Sequence, residues 1–250
     1  MLTVLRNSWA LLLGVMLLML GNGIQGTLLG IRGKIEGFGP LQMSAVMSAY
    51  YLGFLFGSRM APEMIRRVGH VRVFAALGSL VSAVLILYPV ALDWMAWSAM
   101  RVVVGFCFSG IYITSESWLN ASSSNETRGQ ALSAYMIMQM VGIIGAQALL
   151  NFRDPGGFDL FVISSILVSI AFTPILLSAG QAPSFERIQP MPMRRLFRAS
   201  PLGCVGMFLM GGVFAAQFGM ASAWGAEVGL SVKNLSIFVG AIYVGGLVLQ

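Results

Sequence analysis

Residues Gly57 to Phe74 read GSRMAPEMIRRVGHVRVF, a short arginine-rich island between two long apolar runs. The island carries Arg59, Arg66, Arg67 and Arg72 against one carboxylate, Glu63. Apolar runs around a basic segment describe a helix–loop–helix that leaves and re-enters a membrane, with the loop in the cytoplasm. This reading orients every other segment.

The bulk composition agrees. The chain is 57% hydrophobic and 10% charged, with a mean hydropathy of +0.83. A soluble domain of this length needs more charge than that to cover its surface. The net charge of +6 does not point to nucleic acid, because the basic residues sit between apolar spans rather than along one face. Seventeen Met and thirty Gly suit close helix packing in lipid, where small residues let backbones approach. Cys107 and Cys204 both fall inside apolar runs and read as buried thiols. His70 is the only histidine, which excludes a multi-histidine metal site. The expected fold class is an all-α polytopic membrane protein.

Eight apolar spans follow in order: Trp9–Ile31, Leu41–Gly57, Val71–Leu92, Met95–Trp118, Gln130–Leu150, Leu160–Leu177, Pro201–Trp224 and Leu235–Gln250. The first is too long for a cleaved signal peptide and ends without a small-x-small site. Asp93, Trp94 and Trp97 read as an aromatic boundary before span four. Assigning loops alternately to two sides collects Arg6, Arg59, Arg66, Arg67, Arg72, Arg128, Arg187, Arg194, Arg195 and Arg198 on one side. The other side collects Arg32, Lys34, Arg153 and Lys233. The positive-inside rule then predicts that the N-terminus and the 181–200 linker are cytoplasmic. The expected division is a six-helix bundle over residues 1–180, a cytoplasmic linker over 181–200, and two helices of a second bundle over 201–250.

A shift of 192 residues lays span seven on span one without a gap. Gln25 meets Gln217, Gly37 meets Gly229, Ser44 meets Ser236, Tyr51 meets Tyr243 and Gly53 meets Gly245. A parallel repeat of six-span units is the symmetry of a transporter built from two related bundles. Gln250 corresponds to Ser58, so the chain is expected to be the N-terminal portion of a protein of about 380 residues and twelve spans.

The island, with Gly57, Arg67, Gly69 and Arg72 between spans two and three, resembles the signature loop of the major facilitator superfamily. Arg101-Val-Val-Val-Gly105, with Gly110 beyond, is similar to that superfamily's R-x-x-x-G motif. Glu116-Ser-Trp-Leu-Asn120 followed by Glu126-Thr-Arg-Gly129 resembles a YcaD-like bacterial branch. The resemblance covers essentially the whole chain and implies a secondary transporter working by alternating access. It also implies structural roles for Gly57, Gly69 and Gly105, and gating roles for Arg67 and Arg72. There are departures. The aspartate usual three residues before the second glycine is Arg66 here, with Glu63 as the candidate replacement partner. Span five has Gly142 and Gly145 but no Gly-Pro pair, so that motif gives no support to drug–proton antiport.

Ionisable residues within spans are costly and are read as functional by default. Arg101 lies about two turns into span four and suits an anionic substrate group, a proton relay or a structural arginine bonded to backbone carbonyls. The resemblance favours the relay. Glu116 is a candidate proton carrier, or a gate anchor pairing with a loop arginine. Gly105, Ser109, Tyr112 and Glu116 share one helical face, which suits a wet cavity wall. Asn22, Gln25 and Gln217 are candidate cavity amides, or glue between helices. Gln139 and Gln147 on span five are weaker candidates, and Tyr50, Tyr51 and Trp224 are further possible lining. No phosphate loop, nucleophile elbow or metal cluster is visible, so neither an enzyme, a cofactor nor a bound metal is expected. The expected partners are the lipid bilayer, a small-molecule substrate and protons as the candidate coupling ion. The rival reading is a non-transporting membrane scaffold built on a partial bundle.

Overall fold

Runs of Leu, Met, Ala and Phe without an interior polar cluster leave the backbone of each span only one way to satisfy its own N–H and C=O groups in hydrocarbon, the α-helix. The computed structural model describes residues 2–178 and 191–250, and these contain helices and no strand. Helix α1 covers Leu2–Ile35, α2 Pro40–Val68, α3 His70–Leu87, α4 Trp94–Ala121 and α5 Arg128–Leu149. Helices α6 (Asp159–Ala171) and α7 (Thr173–Leu177) together make the sixth span. Beyond the gap lie α8 (Met193–Ala199), α9 (Pro201–Phe214), a π turn at Ala215–Gly219, α10 (Met220–Glu227) and α11 (Val232–Leu249). The first half of the expected linker, with Arg187, lies outside the described residues, as does the side chain of Arg6.

Seven helices among the described residues are long and apolar enough to cross a membrane. The expected second span, α2, is not one of them, because Gln42, Ser44, Ser48, Tyr50 and Tyr51 dilute its apolar half. The arginine island also differs from expectation. It is no loop: α2 runs helically through Pro62 to Val68, and only Gly69, at φ 83°, separates it from α3. Glu63 explains the continuation. Its carboxylate accepts hydrogen bonds from Arg66 Nε and Nη2 and from Arg67 Nε, all at 2.6 Å, pairing one turn onward along the helix.

Helix α1 is the centre of the packing, touching α5, α6, α7 and α10, while α2 packs along α4 and α3 packs on α4 and α6. The α2–α4 crossing depends on missing side chains. A Cβ on Gly53 would strike the Val102 carbonyl, one on Gly57 the Phe106 carbonyl, and one on Gly105 the Tyr50 carbonyl. The two backbones therefore touch. Trp97 departs from its expected place at an aromatic boundary and is fully buried, its indole Nε1 donating to Tyr88 O at 3.0 Å. Asp93 caps α4, its Oδ2 accepting from the amides of Met95 and Ala96 at 2.9 Å.

The 192-residue repeat is visible bond for bond at one end. Phe38 N donates to Gly33 O and Gly37 N to Lys34 O; their mates Leu230 N and Gly229 N donate to Gly225 O and Ala226 O. Gly37 and Gly229 both take left-handed backbone, at φ 78° and 82°, which closes the preceding helix in the same way. Where α1 crosses α10, mates meet each other. Gly30 lies against the backbone of Ser222, and Lys34 Nζ donates to Ala226 O at 2.5 Å and to Glu227 O at 3.2 Å. Contact between a residue and its own repeat mate marks a local two-fold axis.

Candidate functional site

Between this Gly37 end and the opposite Gly69 end lies a cavity of about 290 Å³. Asn22 and Thr27 of α1, Tyr50 and Tyr51 of α2, Arg101 and Tyr112 of α4, and Gln139 and Gln147 of α5 line one side. Gln217 and Phe218 of the π turn and Tyr243 of α11 line the other. The cavity is ringed by tyrosines and amides, and Arg101 is its one charged lining residue among the described residues. At that volume it sits near the low end of small-molecule pockets.

The Arg101 side chain is only 6% exposed. Its guanidinium carbon stands 4.5 Å from the centre of the Tyr50 ring, a cation–π seat. Its buried Nε has no hydrogen-bond partner. The backbone-carbonyl role that sequence leaves open for Arg101 therefore has no counterpart in the geometry.

The amides divide. Gln147 is tied into the α1–α5 contact, its Oε1 accepting from Thr27 Oγ1 at 3.0 Å and its Nε2 donating to Gly23 O at 3.3 Å. Asn22, Gln139 and Gln217 reach the cavity without such ties to α1. Gln25 does not line it. That side chain is fully buried on the other face of α1, against the Tyr88 hydroxyl. Gln25 and Gln217 are repeat mates, and the π turn accounts for their different directions. Its i→i+5 bonding widens the helix around Gln217, whereas α1 stays α-helical through Gln25. Sequence offers no signal for that turn.

The remaining expected residues lie elsewhere. Gly105 and Ser109 pack against α2 at the glycine crossing, so of the four expected residues on that face only Tyr112 joins Arg101 in the cavity wall. Glu116 is exposed near the Gly69 end and forms no ion pair among the described residues, which leaves the expected loop-arginine anchor without a partner. Arg67 is exposed and bound to Glu63, whose carboxyl those Arg66 and Arg67 hydrogen bonds push down to about 2. Arg72 is exposed at the same end. Trp224 borders a separate apolar recess with Lys34, Phe38 and Met43 at the Gly37 end. No group of three or more His, Cys, Asp or Glu among the described residues could hold a metal.

Most hydrogen bonds between the 2–178 and 191–250 parts gather toward the Gly37 end, while Gln250 Nε2 donates to Ser133 Oγ at 3.1 Å near the Gly69 end. Besides Lys34, Ser222 Oγ donates to Gly26 O at 3.1 Å and Asn151 Nδ2 to Ser236 Oγ at 3.1 Å. On the other side of the cavity α9 carries no buried residue.

The Major Facilitator Superfamily profile matches residues 11–250. An uncharacterised MFS-type transporter of Enterobacter sp. strain 638 is 25% identical over 248 residues, covering 98% of this chain and 65% of the relative. The MFS-type transporter YcaD of Escherichia fergusonii gives the same identity and coverage, and YcaD of Escherichia coli O139:H28 is 24% identical over 251 residues. The chain thus spans about 65% of the length of the curated relatives it matches. With its apolar helices, its repeat and this match, the chain is a multi-pass membrane protein that belongs to the Major Facilitator Superfamily.

Proposed function

We propose that this chain forms the larger part of a secondary active transporter that moves a small solute across the bacterial inner membrane by alternating access. The carrying observation is the cavity between the two parts, ringed by tyrosines and amides, with Lys34 bonded across toward α10 at one end. In this reading residues 1–180 are the first bundle, 181–200 a cytoplasmic linker and 201–250 the start of the second bundle. The basic Gly69 end faces the cytoplasm, and the Lys34 contacts close the cavity to the outside. Proton coupling is the weaker part, since Arg101 and Glu116 stand about 22 Å apart along α4 at helical rise.

The test needs no known substrate. In the full-length protein with Cys204 replaced by Ser, Cys is placed at Asn22 or Gln217 and labelled with a membrane-impermeant thiol reagent from each side. Alternating access expects labelling from both sides. Cavity thiols that never react from outside would sink the reading and favour a static scaffold.

A further inference from the structure

We infer that the cavity is built for a small organic anion, a carboxylate, with Arg101 as its counter-charge. The inference deepens the transporter reading and rests on it for the direction of use, though the binding site can be tested separately.

The argument starts from the cost of a buried charge. A guanidinium held away from water needs a negative partner or a full set of acceptors. Arg101 has neither among the described residues, only the Tyr50 ring. The described carboxylates are all engaged or distant. Glu36 pairs with Arg32, Glu63 with Arg66 and Arg67, and Asp159 with Arg153. Asp93 caps α4, and Asp154 accepts from the Gly156 amide. Glu126 lies in the loop before α5, and Glu227 borders the recess at the Gly37 end. Glu116 is four turns along α4. Among the described residues the cavity therefore carries one positive charge that no lining side chain offsets.

The rest of the lining suits the same ligand. Asn22, Gln139 and Gln217 each offer an NH₂, and Tyr50, Tyr51 and Tyr243 offer hydroxyl donors, while Arg101 presents a planar fork matched to two carboxylate oxygens. A cationic solute would find aromatic rings, but the ring best placed already holds the guanidinium. A neutral solute would leave the charge as it stands. An anion removes the cost, and a small carboxylate does so in the planar geometry of the fork.

The experiment uses the full-length protein in detergent and follows its thermal midpoint at constant ionic strength. The probes are matched acid–amide pairs: lactate and lactamide, benzoate and benzamide, succinate and succinamide. Stabilisation is expected from acids and not from their amides. Arg101→Gln should weaken acid binding on the order of tenfold or more, and Arg101→Lys, which keeps the charge without the fork, by less. The Lys variant guards against misfolding of the Gln variant. Amides that stabilise as well as acids, acids that act undiminished on Arg101→Gln, or a panel in which no acid acts would each overturn the assignment. Proteoliposome uptake of an effective acid then separates the two claims. Binding without uptake retains the anion site and removes the transporter, whereas Arg101-independent uptake of an amide retains the transporter and removes the anion site.

Discussion

Glu63 shows how much one carboxylate can organise at the surface of a basic helix. Two arginines one turn ahead clasp it and hold its carboxyl near 2. The folded value lies below the ordinary 4.5, so the clasp contributes fully above that value and is lost as the pH falls toward 2. Carbon-detected NMR of the labelled glutamate should show this low titration, and Arg66→Ala with Arg67→Ala should return it toward 4.5; a wild-type value near 4.5 would refute the clasp. From sequence Glu63 stood only as the candidate replacement for the missing aspartate; its pairing with Arg66 and Arg67 needs the helix, in which residues three and four apart share a face. The burial of Trp97 was not. A tryptophan next to an acidic residue reads as an interfacial anchor unless one knows that Phe38, from a distant loop, stacks edge-on against it at 5.0 Å.

At the scale of elements, charge reports where a segment lies relative to the membrane, not its backbone conformation. The arginine island was read as a loop for the first reason and is helix for the second, since Arg, Met and Glu are good helix formers. The glycine stops at Gly37 and Gly229 were legible as repeat mates, and their shared left-handed backbone gives that match a physical cause. Gly37→Ala and Gly229→Ala should each lower stability by about 1 kcal/mol, the usual cost of a Cβ in the left-handed region. Thermal midpoints of the two variants should fall alike. Unequal losses well beyond error would mean that the two turns are not equivalent. The π turn escaped prediction because it follows from how the seventh span packs, and no residue in AAQFG demands it.

At the scale of the molecule, seven of the eight expected spans and the symmetry were readable, because hydropathy and repeats add over many residues. The cavity lining was only partly so. Asn22, Tyr112, Gln139 and Gln217 were separate cavity candidates in the sequence and line one cavity in the structure, but Gln25 and Ser109 turn toward neighbouring helices that only the tertiary fold identifies. The closed end makes a direct prediction. Lys34→Ala removes a charged donor from the C-terminal carbonyls of α10, a loss of about 1 kcal/mol for a partly exposed bond. In the full-length protein that should raise outside labelling of a thiol at Asn22 by about fivefold. No change would mean that Lys34 does not hold the two helix pairs together.

The contact between mates has a further consequence, for how the halves have diverged. Most duplicated positions are free to stay alike, since each faces its own surroundings. A position on the two-fold axis faces its own copy. Two glycines could meet there, but two lysines would set ammonium against ammonium, so Lys34 stands opposite the small Ala226 and Gly30 opposite Ser222. Identical charges are therefore disfavoured where the symmetry is closest, and a search for ancestral identity should expect charged positions to diverge on the axis and weigh the glycine turns instead.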